Sequence, residues 1–236
     1  MTDPFKFRRI AFKGREFGGP YTCEAIRDLV GRETGKVLDV GCGNGAVLAC
    51  LGATGTGIDL DEGALDEAKR RAPECRFIAG DAKLVLARLD TSPDLGICLG
   101  ASQAIGSQHE ALEFFAHLLR PGGRLLFGDG FWQKTPSPEY LEFLGAYIDD
   151  MSDFETFRRS GDQFGLDSTA WYVSNRDDWD SFEDGYYKSM IEWCDANPDD
   201  PDEAKFRQKM TSWRQAYETH GRETIGFAIV LYQKSC

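Results

Sequence analysis

Long apolar runs are missing from this chain, and none approaches the roughly 20 residues needed to cross a bilayer. The opening stretch, MTDPFKFRRIAFKGREF, interleaves charge with aromatics and lacks the apolar centre of a secretory leader. The expectation is a cytoplasmic protein with no membrane partner. Basic charge is scarce too. There are 27 Lys and Arg against 39 Asp and Glu, a net charge of −12, and no basic stripe offsets it, which argues against a nucleic-acid partner. Seven cysteines, at 23, 42, 50, 75, 98, 194 and 236, form no C-x-x-C pair. Neither a disulfide framework nor a zinc site is suggested, and the thiols are expected to be reduced and mostly packed. Only three histidines are available, and no Ser/His/Asp or Cys/His constellation stands out.

What is present is a globular composition: 236 residues, 42% hydrophobic and 28% charged. We expect a single domain, 1–236, with its core at about 36–130 and 222–236 and helical lid or cap elements at about 133–221. From Lys36 to Asp129 short apolar runs alternate with helical patterns: KVLDVG, GTGID, RFIAG, DLGICLG and RLLFGDG read as strands. Between them AVLACLG, EGALDEAKRRA, KLVLARL and the Leu112, Phe115, Leu118 and Leu119 stripe read as helices, the last opened by a Ser107–Glu110 capping box. Strands separated by helices imply a parallel, doubly wound sheet with right-handed crossovers.

Past Gly130 the pattern changes. Ser137 and Pro138 open a helix expected to carry Tyr140, Leu141, Leu144, Tyr147 and Ile148 on one side. STAWYVSN reads as a sixth strand. Two aromatic-striped segments, Trp179 to Trp193 and Phe206 to Tyr217, read as a helical hairpin broken at NPDDPDE and ended by Gly221. TIGFAIVLYQK closes the chain as a buried strand. The acidity is concentrated here: residues 139–203 hold 19 Asp and Glu against 4 Lys and Arg. Its placement after the fifth strand predicts a lid over the strand ends that controls ligand access, its carboxylates favouring an amine-bearing molecule.

VLDVGCGNG runs from an apolar strand straight into a glycine turn, the usual ligand loop of such a sheet. GCGNGA fits G-x-G-x-x-A, and Asp59 follows Gly41 by 18 residues, where a carboxylate can accept both hydroxyls of a ribose. On these residues alone a nicotinamide dinucleotide and S-adenosylmethionine are nearly tied.

VLDVGCGNG, GIDLDE, FIAGDA, PDLGICLGAS and LLRPGGRLLFGDGFW, in that order, resemble the successive motifs of class I S-adenosylmethionine-dependent methyltransferases of the small-molecule type. The resemblance spans about Val37 to Trp132. It implies an α/β, doubly wound, Rossmann-like sheet of seven strands, mostly parallel with an antiparallel last strand, plus a helical cap. Residue by residue, it implies that Gly41, Gly43 and Gly45 line the methionine and ribose part of S-adenosyl-L-methionine. Asp59 would take the ribose hydroxyls beside Leu60 at the adenine. Asp81 and Ala82 would meet the adenine edge, and Leu99, Gly100 and Ala101 would face the methionine portion. Asp39 belongs with the cofactor residues, either as a ligand or as a buried hydrogen-bonding group.

The implied activity is methyl transfer to N or O of a small molecule by in-line displacement, which demands alignment and exclusion of water more than acid–base machinery. His109 and Asp129 are the candidates for any proton-handling role, and no metal is expected. Phe131 and Trp132 leave the fifth strand where an acceptor would lie, and an aromatic face there suits a cationic amine. An NAD(P)-dependent oxidoreductase and a non-catalytic S-adenosylmethionine-binding protein are the alternatives.

Overall fold

The computed structural model describes residues 3–89 and 91–235. Seven strands, β1 (Val37–Val40), β2 (Gly55–Asp59), β3 (Arg76–Ala79), β4 (Leu95–Leu99), β5 (Arg124–Trp132), β6 (Leu166–Val173) and β7 (Ile225–Lys234), form one sheet in the order β3-β2-β1-β4-β5-β7-β6. Strands β1 to β5 pair in parallel, and β7 is antiparallel to both β5 and β6. Strand order reverses between β1 and β4, so the crevice at their carboxyl ends is where such a sheet takes a ligand.

Helices placed around this sheet include α1 (Lys6–Ala11), α2 (Cys23–Val30), α3 (Ala46–Leu51), α4 (Glu62–Arg71), α5 (Ala82–Leu86), α6 (Gln108–Leu118), α7 (Pro138–Leu144), α8 (Phe154–Arg159), α9 (Arg176–Ala196) and α10 (Glu203–Ala216). The central strands β1, β4, β5 and β7 are apolar because both sheet faces are covered there, whereas the edge strands β3 and β6 keep exposed positions. Leu38, Phe115, Phe127, Val230 and Tyr232 pack on the face of α6 and α8, and Ile26, Leu48, Ile97, Leu126 and Ile229 on the face of α2 and α3. A third cluster joins α1 to the α9–α10 hairpin through Ile10, Ala11, Met190, Phe206 and Met210. Lys6 reinforces that joint by bridging Asp200 and Asp202. No described helix is long and apolar enough to cross a membrane.

The structure departs from the sequence reading at several points. α1 and α2 were not anticipated, because the N-terminal segment has no long apolar period. Helix α7 stops at Leu144, where Gly145 turns left-handed at φ +63, so Tyr147 and Ile148 leave the helical stripe and stand exposed. Ser107 caps α6 by accepting from Glu110 N, without the return bond of a full capping box. Gly221 does not end the hairpin. It sits at φ −65 in a helical path that runs on to Thr224, and its missing side chain makes room for Tyr140, whose hydroxyl would lie 2.6 Å from a Cβ. Finally, Cys23 and Cys50 form a disulfide between α2 and α3, which corrects the expectation of reduced thiols for that pair. Cys42, Cys75, Cys98 and Cys194 are free, and Cys236 lies outside the described residues.

Candidate functional site

The turn from β1 into α3 sits at the reversal point of the sheet and shapes the site. Gly41 has φ +73, and a Cβ there would meet the Ala101 methyl at 2.3 Å, so the turn can pack against the end of β4 only with glycine. Gly43, at φ +51, faces open space, and the nearest atom to its missing Cβ is Arg8 Nη2 at 4.0 Å. Asp59 braces the turn from below. Its Oδ2 accepts from Gly43 N at 2.8 Å and its Oδ1 from Asp61 N at 2.9 Å.

Above the turn lies a cavity of about 280 Å³. Its floor is Asp39, Gly41, Gly43, Leu99 and Gly100. Its roof comes from α1 and the strap that follows, through Arg8, Phe12, Arg15, Phe17 and Tyr21, with Arg9 and Asp61 at one side. Tyr21 is wedged between Phe17 and Phe227, at centroid distances of 5.3 and 5.7 Å, and its ring lies against Gly19, where a Cβ would be 2.5 Å away.

The charges of this cavity are unequally satisfied. Arg9 pairs with Asp3 and with Asp61, and Asp61 also caps α4. Arg15 donates to Phe182 O at 2.5 Å and lies over the Phe182 ring, and burial lowers its pKa. Arg8 has no ion-pair partner among the described residues. Asp39 is 3% exposed, and its buried Oδ2 has no hydrogen-bond partner among them. Burial, aided by the Asp59 charge, pushes the Asp39 carboxyl up to about 8. A cation without an anion thus sits over the glycine turn, and an acceptor without a donor sits in the floor.

The sequence-derived candidates separate accordingly. Asp39, Gly41, Gly43, Leu99 and Gly100 are together on the cavity wall. Gly45 caps α3 and packs on Ala68, while Ala101 lies beneath Gly41. Asp59 is under the turn. Leu60 is 54% exposed at the end of β2, and Asp81 caps α5 by accepting from Leu84 N at 3.0 Å, with Ala82 buried behind it. These three lie on the next loops along the strand ends, outside the cavity itself.

The remaining candidates are elsewhere. Phe131 is buried across Gly226 against Phe154 and Phe157, and Trp132 is buried with Tyr140 and Ala216, its indole N–H donating to Ile148 O at 2.9 Å. Neither lines the cavity. His109 stands on α6 edge-on to Phe164. Asp129 is turned into the protein, its Oδ1 accepting from Gly130 N at 2.8 Å and its Oδ2 unpartnered among the described residues, and burial raises its pKa. Residues 139–203 do not roof this cavity, as a lid would. The N-terminal segment does, and the hairpin supports it from behind. Among the described residues no group of three or more His, Cys, Asp or Glu is arranged to hold a metal. Sequence reading missed Arg8, Arg15, Tyr21 and Asp61, although the basic and aromatic residues of FRRIAFKGREFGGPY, broken by glycines, were a signal.

Comparisons with known proteins bear on this site. A family profile described as a methyltransferase domain matches residues 37–123. A crystal structure of an S-adenosylmethionine-dependent methyltransferase from Thiobacillus denitrificans, in complex with S-adenosylhomocysteine, superposes with a TM-score of 0.86 at 30% identity, covering 98% of this chain and 99% of that one. The corresponding complex from Geobacter sulfurreducens gives 0.88 at 28% identity, with coverage of 98% and 99%. The uncharacterized protein YjhP of Escherichia coli K12 is 31% identical over 207 residues, 82% of each chain.

Proposed function

This chain belongs to the class I S-adenosylmethionine-dependent methyltransferases, and from that premise we propose that it methylates N or O of a small molecule in the cavity roofed by α1 and its strap. When bound, S-adenosylmethionine supplies a methyl group activated on sulfur, displaced in line by a lone pair of the acceptor, with S-adenosylhomocysteine as the leaving product.

The observation that carries the reading is the pair of unmet charges. Among the described residues Asp39 Oδ2 lacks a donor and Arg8 lacks an anion, and both residues line one cavity. That is the complement of an α-amino-acid zwitterion, which the methionine end of the cofactor carries. In this reading Asp39 takes the ammonium, Arg8 takes the carboxylate, and Gly43 leaves the space between them clear. Asp59, although held by two backbone N–H groups, keeps lone pairs for the ribose hydroxyls, since a carboxylate offers about four acceptor sites. Leu60 flanks the adenine and Asp81 accepts from its amino group. Leu99 and Gly100 border the methyl, and Phe12, Phe17 and Tyr21 keep water from it.

We further read 1–236 as one transferase domain in which the hairpin is a cap braced on α1. No side chain on the cavity wall is required as a base if the acceptor arrives with a free lone pair. The test is an acceptor screen with trideuteromethyl-labelled cofactor, read by mass spectrometry on small amines, phenols and carboxylates. Label appearing in one chemical class supports the reading. No label in any of these classes, with label entering nucleic acid or protein added in a parallel reaction, overturns the small-molecule assignment.

A further inference from the structure

The cavity over the glycine turn carries more positive charge than the cofactor reading uses. Arg8, Arg9, Lys13 and Arg15 line it, against Asp39, Asp61 and Glu67. Asp61 is paired with Arg9, and Glu67 with Arg71 of α4. Asp39 is held largely protonated at neutral pH, its carboxyl pushed up to about 8 by burial and then by the Asp59 charge. Arg8, Lys13 and Arg15 make no ion pair among the described residues. With the cofactor seated as proposed above, its carboxylate answers Arg8 and its ammonium answers Asp39. The sulfonium, Lys13 and Arg15 are left without an anion. Like charges in a cavity partly shut off from water repel more than they would in solvent, so an amine-bearing acceptor is opposed there and an anionic one is drawn in.

Lys13 is exposed and its charge is screened by solvent, whereas Arg15 is half-buried and held in place. Its guanidinium lies over the Phe182 ring, Cζ 4.3 Å from the centroid, while Nη1 donates to Phe182 O at 2.5 Å. Gly185, on the next turn of α9, leaves the room: a Cβ there would stand 3.3 Å from Nη1 and 3.4 Å from Cζ. Glycine inside a helix costs about 1 kcal/mol relative to alanine, and here the gap admits the guanidinium. The acids of α9 do not neutralise it. Glu183 Oε2 accepts from Trp213 Nε1 at 2.8 Å, Asp178 from the Tyr172 hydroxyl and Asn175 N, and Asp184 pairs with Arg214. Burial lowers the Arg15 pKa, and the Glu183 charge offsets that only in part. Arg15 Nε and Nη2 donate to nothing among the described residues, and their N–H groups form one planar edge that matches the two oxygens of a carboxylate. With Phe17 and Tyr21, Arg15 borders both the cavity and an open groove of about 450 Å³ between the strap and α9, on which Glu16 and Asp177 stand exposed.

We propose that Arg15 anchors the acceptor: its free N–H edge holds a carboxylate of that molecule, while a different atom of the same molecule faces the sulfonium. The assignment of the carboxylate to an acceptor rests on the transferase reading above. The anion site itself stands on Arg15 and its seat.

The test uses the full chain, ¹⁵N-labelled and saturated with S-adenosylhomocysteine so that Arg8 is occupied, with the backbone amide signals of Gly18 and Gly19 assigned. Sodium propionate is titrated at constant ionic strength, with propionamide as the neutral counterpart and inorganic phosphate as a second anion. Propionate should shift both amides saturably and propionamide should not. Arg15→Gln should weaken propionate by about tenfold or more, the loss expected of a charge-assisted pair. Absence of a saturable shift, an equal response to propionamide, or undiminished affinity in Arg15→Gln overturns the site. Phosphate binding more tightly than propionate overturns the carboxylate as its ligand. Should Arg15→Gln not fold, Arg15→Lys keeps the charge without the fork. Propionate must then bind more weakly than to the parent chain, and equal affinity overturns the site. Failure of the transferase reading appears separately, as no response of these amides to S-adenosylhomocysteine before propionate is added.

Discussion

Replacing Asp39 by Asn exposes the electrostatics of the proposed cofactor site through protons. With a carboxyl pushed up to about 8, Asp39 is roughly nine-tenths protonated at pH 7 in the free enzyme, whereas an ammonium against Oδ2 requires the ionised form. Binding of S-adenosylhomocysteine at pH 7 should therefore release about 0.9 proton, and its apparent Kd should fall about tenfold from pH 6 to 7 and flatten above about 8. Calorimetry in two buffers of different ionisation enthalpy measures the release directly. In Asp39→Asn the release disappears, the pH profile is flat across that range, and affinity drops by about 10- to 100-fold, the worth of a charge-assisted hydrogen bond of about 1.5–3 kcal/mol.

The same shift acts on the unliganded fold, with a definite sign. The folded pKa is raised from 3.8, so this group's contribution is complete below that value and is lost as the pH rises through about 8. Asp39→Asn should remove that part of the stability slope. Buffer-independent binding heats, or release that persists in the variant, would refute the argument.

Arg8→Ala should weaken S-adenosylhomocysteine by about 10-fold or more through loss of a charged hydrogen bond, and it should cease to distinguish S-adenosylmethionine from its decarboxylated analogue, which competition calorimetry resolves. Trp132→Phe should cost about 1 kcal/mol of stability, one hydrogen bond to Ile148 O, with S-adenosylhomocysteine affinity unchanged; an altered affinity in a stable variant would return Trp132 to the ligand site. Reduction of Cys23–Cys50, which are 27 residues apart, should lower the melting temperature by removing roughly 3–4 kcal/mol of loop-closure restraint on the unfolded chain; melting that ignores a reductant would deny the bond that role.

The sheet was legible because its signals are local. VLDVG, GTGID, RFIAG, DLGICLG and RLLFGDG each carry a short apolar run, and every one of them is a strand in the structure. The floor of the candidate cavity was legible for the same reason, since Asp39, Gly41 and Gly43, which line it, follow directly from β1. The roof was not. Arg8 and Tyr21 reach the cavity only because α1 docks on a hairpin nearly 200 residues further along the chain and Gly19 lets the Tyr21 ring seat, and no local period encodes either fact. Phe131 and Trp132 misled through position. They end the right strand, but Gly226 opposite Phe131 and the Ile148 carbonyl near Trp132 draw both rings inward. The acidic segment had the composition of a lid, yet its aromatic stripes are spent on α1, on each other and on Glu183.

The most direct measurement of the account is a crystal structure of this chain with S-adenosylhomocysteine. It should place the homocysteine ammonium on Asp39 and the carboxylate on Arg8 beneath α1, with the ribose at Asp59 and the adenine between Leu60 and Asp81. A homocysteine end that leaves Asp39 Oδ2 still unpartnered, or that lies outside the N-terminal roof, would contradict it.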